Sequence, residues 1–345
     1  MKKLSWINKI LYALNSLIAT ILLLSYLVPY ISPLKFPALS ILSLAVPLLI
    51  VFNFIFLIYW IIKLKRQFLL PLIVLLIGFN TVGAFFRFFE KEILLNDDLK
   101  VMSYNVRLFN LYNWKPESKE SIKSNIKKFV KEKSPDIVCF QEFVNEYSRE
   151  FKYKYRFVND RNAKNKRTKF GQAIFSNYPI INYGSVNFES STNNAIYADI
   201  VVKEDTLRVY NVHLESQKIE LDKENFGDEN KEKLKIRIQN TFKAQANQAQ
   251  KLFKNEQECP YKVILCGDFN NTAFSWVYRK LKDSKNDTFI EAGSGFGKSY
   301  DYKFPARIDF IFSDKNIDIS NFKTYNVKYS DHYPIMARFN LLKKN

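Results

Sequence analysis

Three uncharged apolar stretches fill the first quarter of the chain, at residues 10–34, 36–62 and 67–86, and no other feature restricts its fold as sharply. A helix needs roughly 20 apolar residues to cross about 30 Å of hydrocarbon, and each stretch can supply them. The middle one, containing ILSLAVPLLIVFNFIFLIYWII, has no polar face at helical spacing, which leaves it only a protein core or a membrane. Residues 1–95 are therefore expected to form an anchor of about three transmembrane helices, near 10–30, 38–62 and 67–87, ahead of a second domain over 96–345. The first stretch is long, lacks a small-residue cleavage site and is followed by two more spans, so it reads as a retained anchor rather than a signal peptide. Pro29, Pro47 and Pro71 lie within or at the ends of these stretches, where membrane helices tolerate kinks. No ionisable residue marks a pathway through them, which fits an anchor rather than a channel.

With three spans, Lys2, Lys3, Lys9, Lys63, Lys65 and Arg66 share one side, and Lys35, Arg87 and Lys91 the other. The excess places the N-terminus in the cytoplasm and the second domain on the periplasmic or extracytoplasmic side of the inner membrane. A re-entrant segment would reverse that orientation. Of the formal charge of +18, residues 1–95 carry +7 (nine Lys and Arg against two Glu) and the remainder +11. Such a balance suits a polyanionic substrate or an anionic membrane surface. Cys139, Cys259 and Cys266 are odd in number and lack metal spacing, so they indicate neither a zinc site nor a disulfide framework. Cys139 and Cys266 sit in apolar runs and read as small core residues.

From residue 96 the texture changes to short runs rich in Val, Ile, Phe and Tyr, such as LKVMSYNVRLF, PDIVCFQEF, TLRVYNVHLES, KVILCGDFNN and RIDFIFSD. Between them, Ile122, Ile126, Phe129 and Val130 recur at helical spacing. In the stretch 231–255, so do Leu234, Ile238, Phe242, Ala246, Ala249 and Phe253. Strands interleaved with helices predict a layered α/β domain. GSGFG at 293–297 lacks the context of a phosphate loop and reads as a flexible connection, and the basic stretch 160–171 reads as a solvated loop.

Several apolar runs end in polar residues suited to metal or phosphate chemistry: Asn105, Glu142, His213, Asp268 with Asn270, and Asp331 with His332. Glu142 is a carboxylate of the kind Mg²⁺ prefers. Asp268 and Asn270, two residues apart, would share one side of an extended backbone, where the carboxylate can orient a water and the amide can steady it or contact phosphate. Asp309 lies inside the otherwise apolar RIDFIF and needs a partner if buried; His332 in SDHYPI is one candidate. That pairing would favour an imidazolium able to stabilise charge on a phosphoryl oxygen. His213, the only other histidine, could contact phosphate or protonate a leaving oxygen.

In order, SYNVR, QEF, NVHLES, GDFNNT, RIDFIF and SDHYPI resemble the motifs of the endonuclease/exonuclease/phosphatase superfamily over about residues 99–339. That superfamily includes DNase I-like nucleases, neutral sphingomyelinases and inositol polyphosphate 5-phosphatases. The resemblance implies a four-layered α/β sandwich and a phosphoesterase using Mg²⁺, with Mn²⁺ as a substitute. By it, Asn105 and Glu142 lie at the metal, Asp268 positions or deprotonates the water, and Asn270 supports it and touches phosphate. Asp309 pairs with His332, Asp331 assists at the metal or the base, and His213 contacts phosphate near the leaving group. The AP-endonuclease branch usually carries Tyr where this chain has His213, which sets the sequence nearer the other branches. The expected function is a membrane-anchored, nuclease-like phosphodiesterase, with phospholipid or sphingolipid headgroup cleavage as the alternative. A catalytically silent binding module at the bilayer would be expected to have lost one of Glu142, Asp268, Asn270, Asp309 or His332, and all five are present.

Overall fold

The computed structural model describes residues 4–160, 170–189, 191–217, 228–302 and 304–341, and divides into two compact units. Most of the basic stretch 160–171 lies outside the described residues. The first unit holds residues 1–86 together with 219–246 and 272–279; the second holds the rest.

Within the first unit, helices α1 (Trp6–Ser25) and α3 (Leu42–Ile62) are joined through a loop that includes the single turn α2 (Pro37–Ser40). Two polar pairs fix the antiparallel register of α1 and α3. Tyr59 donates to Asn8 Oδ1 (2.7 Å), and Trp60 donates its indole N–H to the buried Asn15 Oδ1 (3.0 Å). A polar side chain in an apolar bundle is costly without such a partner. The helical segments Trp6–Tyr30 and Pro37–Ile62 are long and apolar enough to cross a membrane.

The third expected span is not one continuous helix. α4 (Leu69–Ile77), entered through a short turn from Arg66, and α5 (Phe79–Phe85) bend by 76° at Gly78. The bend lies against the residue that follows α1. The Tyr26 hydroxyl donates to the Val74 carbonyl (3.0 Å), and a Cβ on Gly78 would stand 2.1 Å from that hydroxyl oxygen. The absence of a Cβ lets the Tyr26 ring lie directly against the chain at the bend.

The second unit is a sandwich of two six-stranded sheets. The first sheet has the order β11-β12-β1-β2-β4-β3, from strands β1 (Leu99–Asn105), β2 (Ile137–Val144), β3 (Tyr155–Asp160), β4 (Phe170–Ser176), β11 (Asp318–Thr324) and β12 (Ile335–Asn340). The second has the order β5-β6-β7-β8-β10-β9, from β5 (Ile180–Ser185), β6 (Ala195–Val202), β7 (Asp205–His213), β8 (Lys262–Asp268), β9 (Asn286–Asp287) and β10 (Asp309–Ser313). One parallel pair lies near the middle of each sheet, β1 with β2 and β7 with β8. Val101, Cys139, Val209, Cys266 and Ile311 meet between the sheets, each fully buried. Burying such an aliphatic side chain contributes about 1.5–3 kcal/mol, so this layer is the main cohesive element.

Helix α6 (Lys119–Lys133) covers the first sheet with the expected stripe, Ile122, Ile126, Phe129 and Val130, against Tyr104 and Phe140. Its Ser118 cap accepts from Ser121 N (3.2 Å). On the second sheet lies the C-terminal part of α7 (Asp228–Gln257), where Tyr210 donates to Asn255 (2.9 Å). Of its expected stripe, Ile238, Phe242, Ala246 and Ala249 are buried, while Leu234 and Phe253 are half-buried. The four layers are therefore helix, sheet, sheet, helix. Two short helices, α8 (Trp276–Lys282) and α9 (Thr288–Ala292), complete the described α-helices.

Candidate active site

The period of two along a strand places most of the site. In β1 the inward residues are Leu99, Val101, Ser103 and then Asn105; in β7 they are Leu207, Val209, Asn211 and then His213. In β8 the series Ile264, Cys266 ends at Asp268, and Asp309 opens β10 two residues before Ile311. Apolar spacing at the centre of the sandwich thus becomes a polar cluster at one end. Strand register completes it, because Asp268 is paired with His213 on one side and with Asp309 on the other. Gly267 makes the parallel pairing feasible: its φ is +143°, and a Cβ would sit 1.9 Å from the Val212 carbonyl oxygen.

Glu142 arrives by a different device. It was expected at a strand end, but it lies inside β2, where the pairing with β4 slips between Phe140 and Phe143 and Glu142 takes a left-handed φ of 49°. The inward slot is already taken by Gln141. The bulge re-aims the next side chain toward the same cluster, a known use of extra strand residues beside functional sites. Asn270 also departs from expectation. The backbone beyond Asp268 is not extended: Asn270 has φ 50°, its N–H donates to Asp268 Oδ1 (2.8 Å), and its side-chain amide donates to the Leu214 carbonyl (2.9 Å). Its N–H thereby holds one oxygen of the Asp268 carboxylate.

Asp268 Oδ2 is the hub. It accepts from Asn105 Nδ2 (3.1 Å) and lies 3.5 Å from His213 Nε2 and 3.6 Å from His332 Nε2. The anticipated pairing of Asp309 with His332 is present, Oδ2 to Nδ1 at 2.9 Å, and the Asp309 backbone N–H donates to Ser299 Oγ (2.9 Å). Asn105 Nδ2 also reaches Glu142 Oε1 (3.4 Å), which stands 4.0 Å from His213 Nε2. Asp331 is gripped by Arg107 (2.9 Å).

Burial and neighbouring charge set the protonation states. Burial, with Asp309 adding to it, pushes the Asp268 carboxyl up to about 7 despite the opposing charge of His332. Burial, and then the charge of His332, drive His213 down to about 3. For His332, burial opposes the charge, but Asp309, Asp268 and Asp331 together outweigh it and hold the imidazolium well above its usual range. Glu142 is raised by burial and by Asp331.

Several contributors carried no assigned role in the sequence. Arg107 stacks over Trp114 (4.6 Å) and lies in a run of left-handed residues, Arg107 to Asn110, with φ of 42–61°. Its only signal was its place in SYNVR. Ser330 donates to the Asn105 carbonyl (2.8 Å). Behind the site, Gln141 donates to Asn211 Oδ1 (2.7 Å), Asn211 donates to the carbonyls of Phe140 (2.8 Å) and Ala173 (2.9 Å), and Gln172 donates to the Asn211 carbonyl (2.9 Å). This buried amide network cross-links the two sheets next to Glu142 and His213, with the Gln141 Oε1 left without a partner among the described residues.

The donor set fits a hard divalent cation. Asp268, Asp309 and His332 form a compact group whose ligand atoms lie within 4.8 Å of one another, but His332 and Asp309 are already committed to each other. The more accessible oxygen donors belong to Glu142, whose side chain is 31% exposed, with Asn105 and Asp331 nearby. Asn105 Oδ1 accepts from Arg107 N (3.0 Å) and keeps a second lone pair. Burial raises the pKa of both Glu142 and Asp268, and a cation bound by oxygen would add positive charge beside them.

The second unit is thus a two-sheet α/β sandwich with a carboxylate and histidine cluster at one end. The family model described as endonuclease/exonuclease/phosphatase family matches residues 102–332, and the chain belongs to that family. A second model, described as a domain of unknown function, matches residues 8–85. No curated protein matches the chain significantly. Among solved structures, the human Nocturnin catalytic domain with bound sulfate is 18% identical, covering 72% of this chain and 96% of that one, with a TM-score of 0.55. D. rerio TDP2 complexed with single strand DNA product is 18% identical, covering 70% and 99%, with a TM-score of 0.52. An endonuclease/exonuclease/phosphatase from Bacteroides vulgatus is 16% identical, covering 71% and 99%, with a TM-score of 0.54. At these identities the likeness is one of fold.

Proposed function

We propose that this protein is a membrane-anchored, Mg²⁺-dependent phosphoesterase that hydrolyses a phosphodiester in the manner of a nuclease. The observation that carries the reading is the position of Asp268 between a neutral and a charged histidine, beside the oxygen donors of Glu142 and Asn105. In its ionised form Asp268 orients the attacking water, and Asn270 N–H and Asn105 Nδ2 keep its two oxygens in place. His332, held through Nδ1 by Asp309, presents Nε2–H to a phosphoryl oxygen as charge builds there. His213 stays neutral and contacts phosphate near the leaving oxygen. Glu142, Asn105 and Asp331 would hold the Mg²⁺, which when bound supplies positive charge to the phosphoryl oxygens.

The +11 charge of residues 96–345 and the DNA product in the TDP2 relative support a nucleic-acid phosphodiester as substrate. The anchor reading is supported by the two long apolar helices. A third crossing requires the bent pair α4 and α5 to act as one span, and Tyr26, just past the C-terminal end of α1, meets Val74 in that pair. In the same unit, Thr272 donates to the Ser43 carbonyl (3.1 Å) and Arg279 lies over the Tyr30 ring (4.2 Å). A cytoplasmic N-terminus and an extracytoplasmic catalytic unit at the inner membrane are supported by the excess of Lys and Arg at the N-terminus and after α3.

The test is EDTA-sensitive, Mg²⁺-restored hydrolysis of bis(p-nitrophenyl) phosphate by the full chain, set against Asp268→Ala and His332→Ala. Equal rates in all three would falsify the enzyme reading. A panel of single- and double-stranded DNA, RNA and phospholipid headgroup esters then ranks substrates.

A further inference from the structure

The segment that follows α5 is built unlike a linker. Arg87 pairs with Gly295 through two backbone hydrogen bonds (2.9 and 2.8 Å), Lys91 N donates to the Ala292 carbonyl (3.2 Å) and Ile93 N to the Ser320 carbonyl (3.2 Å). Residues 87–93 are thereby strapped along the β11 edge. The charged side chains of the strap are turned onto the protein: Glu90 accepts from Asn321 (3.1 Å), Glu92 from Lys323 (2.9 Å), and Lys91 donates to Asp318 (3.1 Å). Glu90 and Glu92 stay partly exposed, and beside them stand exposed apolar side chains. Phe88 and Phe89 are 80% and 88% exposed, and Ile93, Leu94 and Leu95 are 43–54% exposed. The Arg87 pairing brings in Phe296, itself 41% exposed, from the glycine-rich loop.

Rigidly displayed apolar side chains of this number mark an interaction surface. The strap begins two residues after the last apolar helix, and aromatic rings are enriched where membrane meets water. We infer that residues 88–95 with Phe296 form a membrane-interface surface, seated among the phospholipid headgroups of the bilayer that takes the apolar helices. This rests on the membrane reading. Because the strap is bonded to β11, its insertion ties a sheet edge of the catalytic unit to the lipid surface rather than leaving that unit on a free tether.

Nitroxide accessibility in the full chain tests this, in nanodiscs of mixed zwitterionic and anionic phospholipid. Cys259→Ser removes the more accessible thiol, since Cys139 and Cys266 are buried. Labels are then placed through Phe89→Cys and Leu94→Cys, with Ile58→Cys in α3 and Tyr183→Cys in β5 as references. At 89 and 94 the expected ratio of oxygen to nickel-chelate accessibility is several-fold above that at 183 and below that at 58. Values at 89 and 94 equal to that at 183, with 58 reading as lipid, overturn the inference alone. A water-like value at 58 overturns the membrane reading and the inference with it.

Discussion

On the β7 side of Asp268 stands His213, and on the β12 side stands His332, at 3.5 and 3.6 Å from the same carboxylate oxygen. Both rings are buried, yet one is held neutral and the other charged. The difference lies in what meets the remaining faces. His332 is bonded through Nδ1 to Asp309 at 2.9 Å, whereas His213 has Glu142 no nearer than 4.0 Å and a positive ring across the site. Two identical side chains around one carboxylate thus carry different charges. Which one carries more of the rate follows from that asymmetry.

The largest effect that separates the two sides is expected from Asp309→Ala. Without its partner the His332 imidazolium loses both its charge support and its fixed tautomer, and kcat should fall by about 10³- to 10⁴-fold. Histidine NMR titration should show the His332 pKa dropping toward the ordinary range. An Asp309→Ala enzyme within about tenfold of wild type would break the comparison. His213→Ala should cost less, about 10²-fold, because a neutral ring supplies a contact rather than a charge. Its pH profile should keep the wild-type shape between pH 5 and 9, since His213 does not titrate there. Equal losses on the two sides would mean that the protonation contrast has no kinetic consequence.

Much of this asymmetry was legible before any coordinates. Asn105, His213 and Asp268 continue the inward parity of their strands, so the spacing that buries Val101, Val209 and Cys266 also predicts which polar residues converge. Asp309 announced itself as an acid in an apolar strand. What escaped were departures from regular backbone. The left-handed bulge at Glu142, the turn at Asn270 and the run from Arg107 to Asn110 each place non-glycine residues where sequence parity has no force. The break at Gly78 was hidden for another reason: the Tyr26 ring that packs against it is remote in sequence. The amide network of Gln141, Gln172 and Asn211 likewise depends on two sheets meeting, which no single strand encodes.

A smaller effect sharpens the contrast at its edge. Arg107 orients Asp331 without reaching Asp268 itself, so Arg107→Lys should loosen the cation rather than the chemistry. The expected result is a Mg²⁺ half-saturation raised about 10-fold, with kcat at saturating Mg²⁺ nearly unchanged. A fall in kcat at unchanged Mg²⁺ affinity would assign Arg107 to the transition state instead.

The smallest effect concerns stability, and it tests whether Asp268 is held against its own ionisation. Its folded pKa of about 7 lies above the ordinary 3.8, so the fold favours the neutral carboxyl. The sign follows: this contribution is fully present below pH 3.8 and is lost as pH rises to and past 7, where the ionised group must be buried. Asp268→Asn cannot ionise and escapes that loss. In EDTA, its Tm should match wild type near pH 4 and exceed it by several degrees at pH 8, at roughly 2–4 °C per kcal/mol for a unit of this size. Adding Mg²⁺ should shrink the gap by stabilising the wild-type carboxylates alone. A Tm difference that stays constant from pH 4 to 8 would show that Asp268 is comfortably ionised, and the hub of the site would then be a structural acid rather than one poised to hold a water.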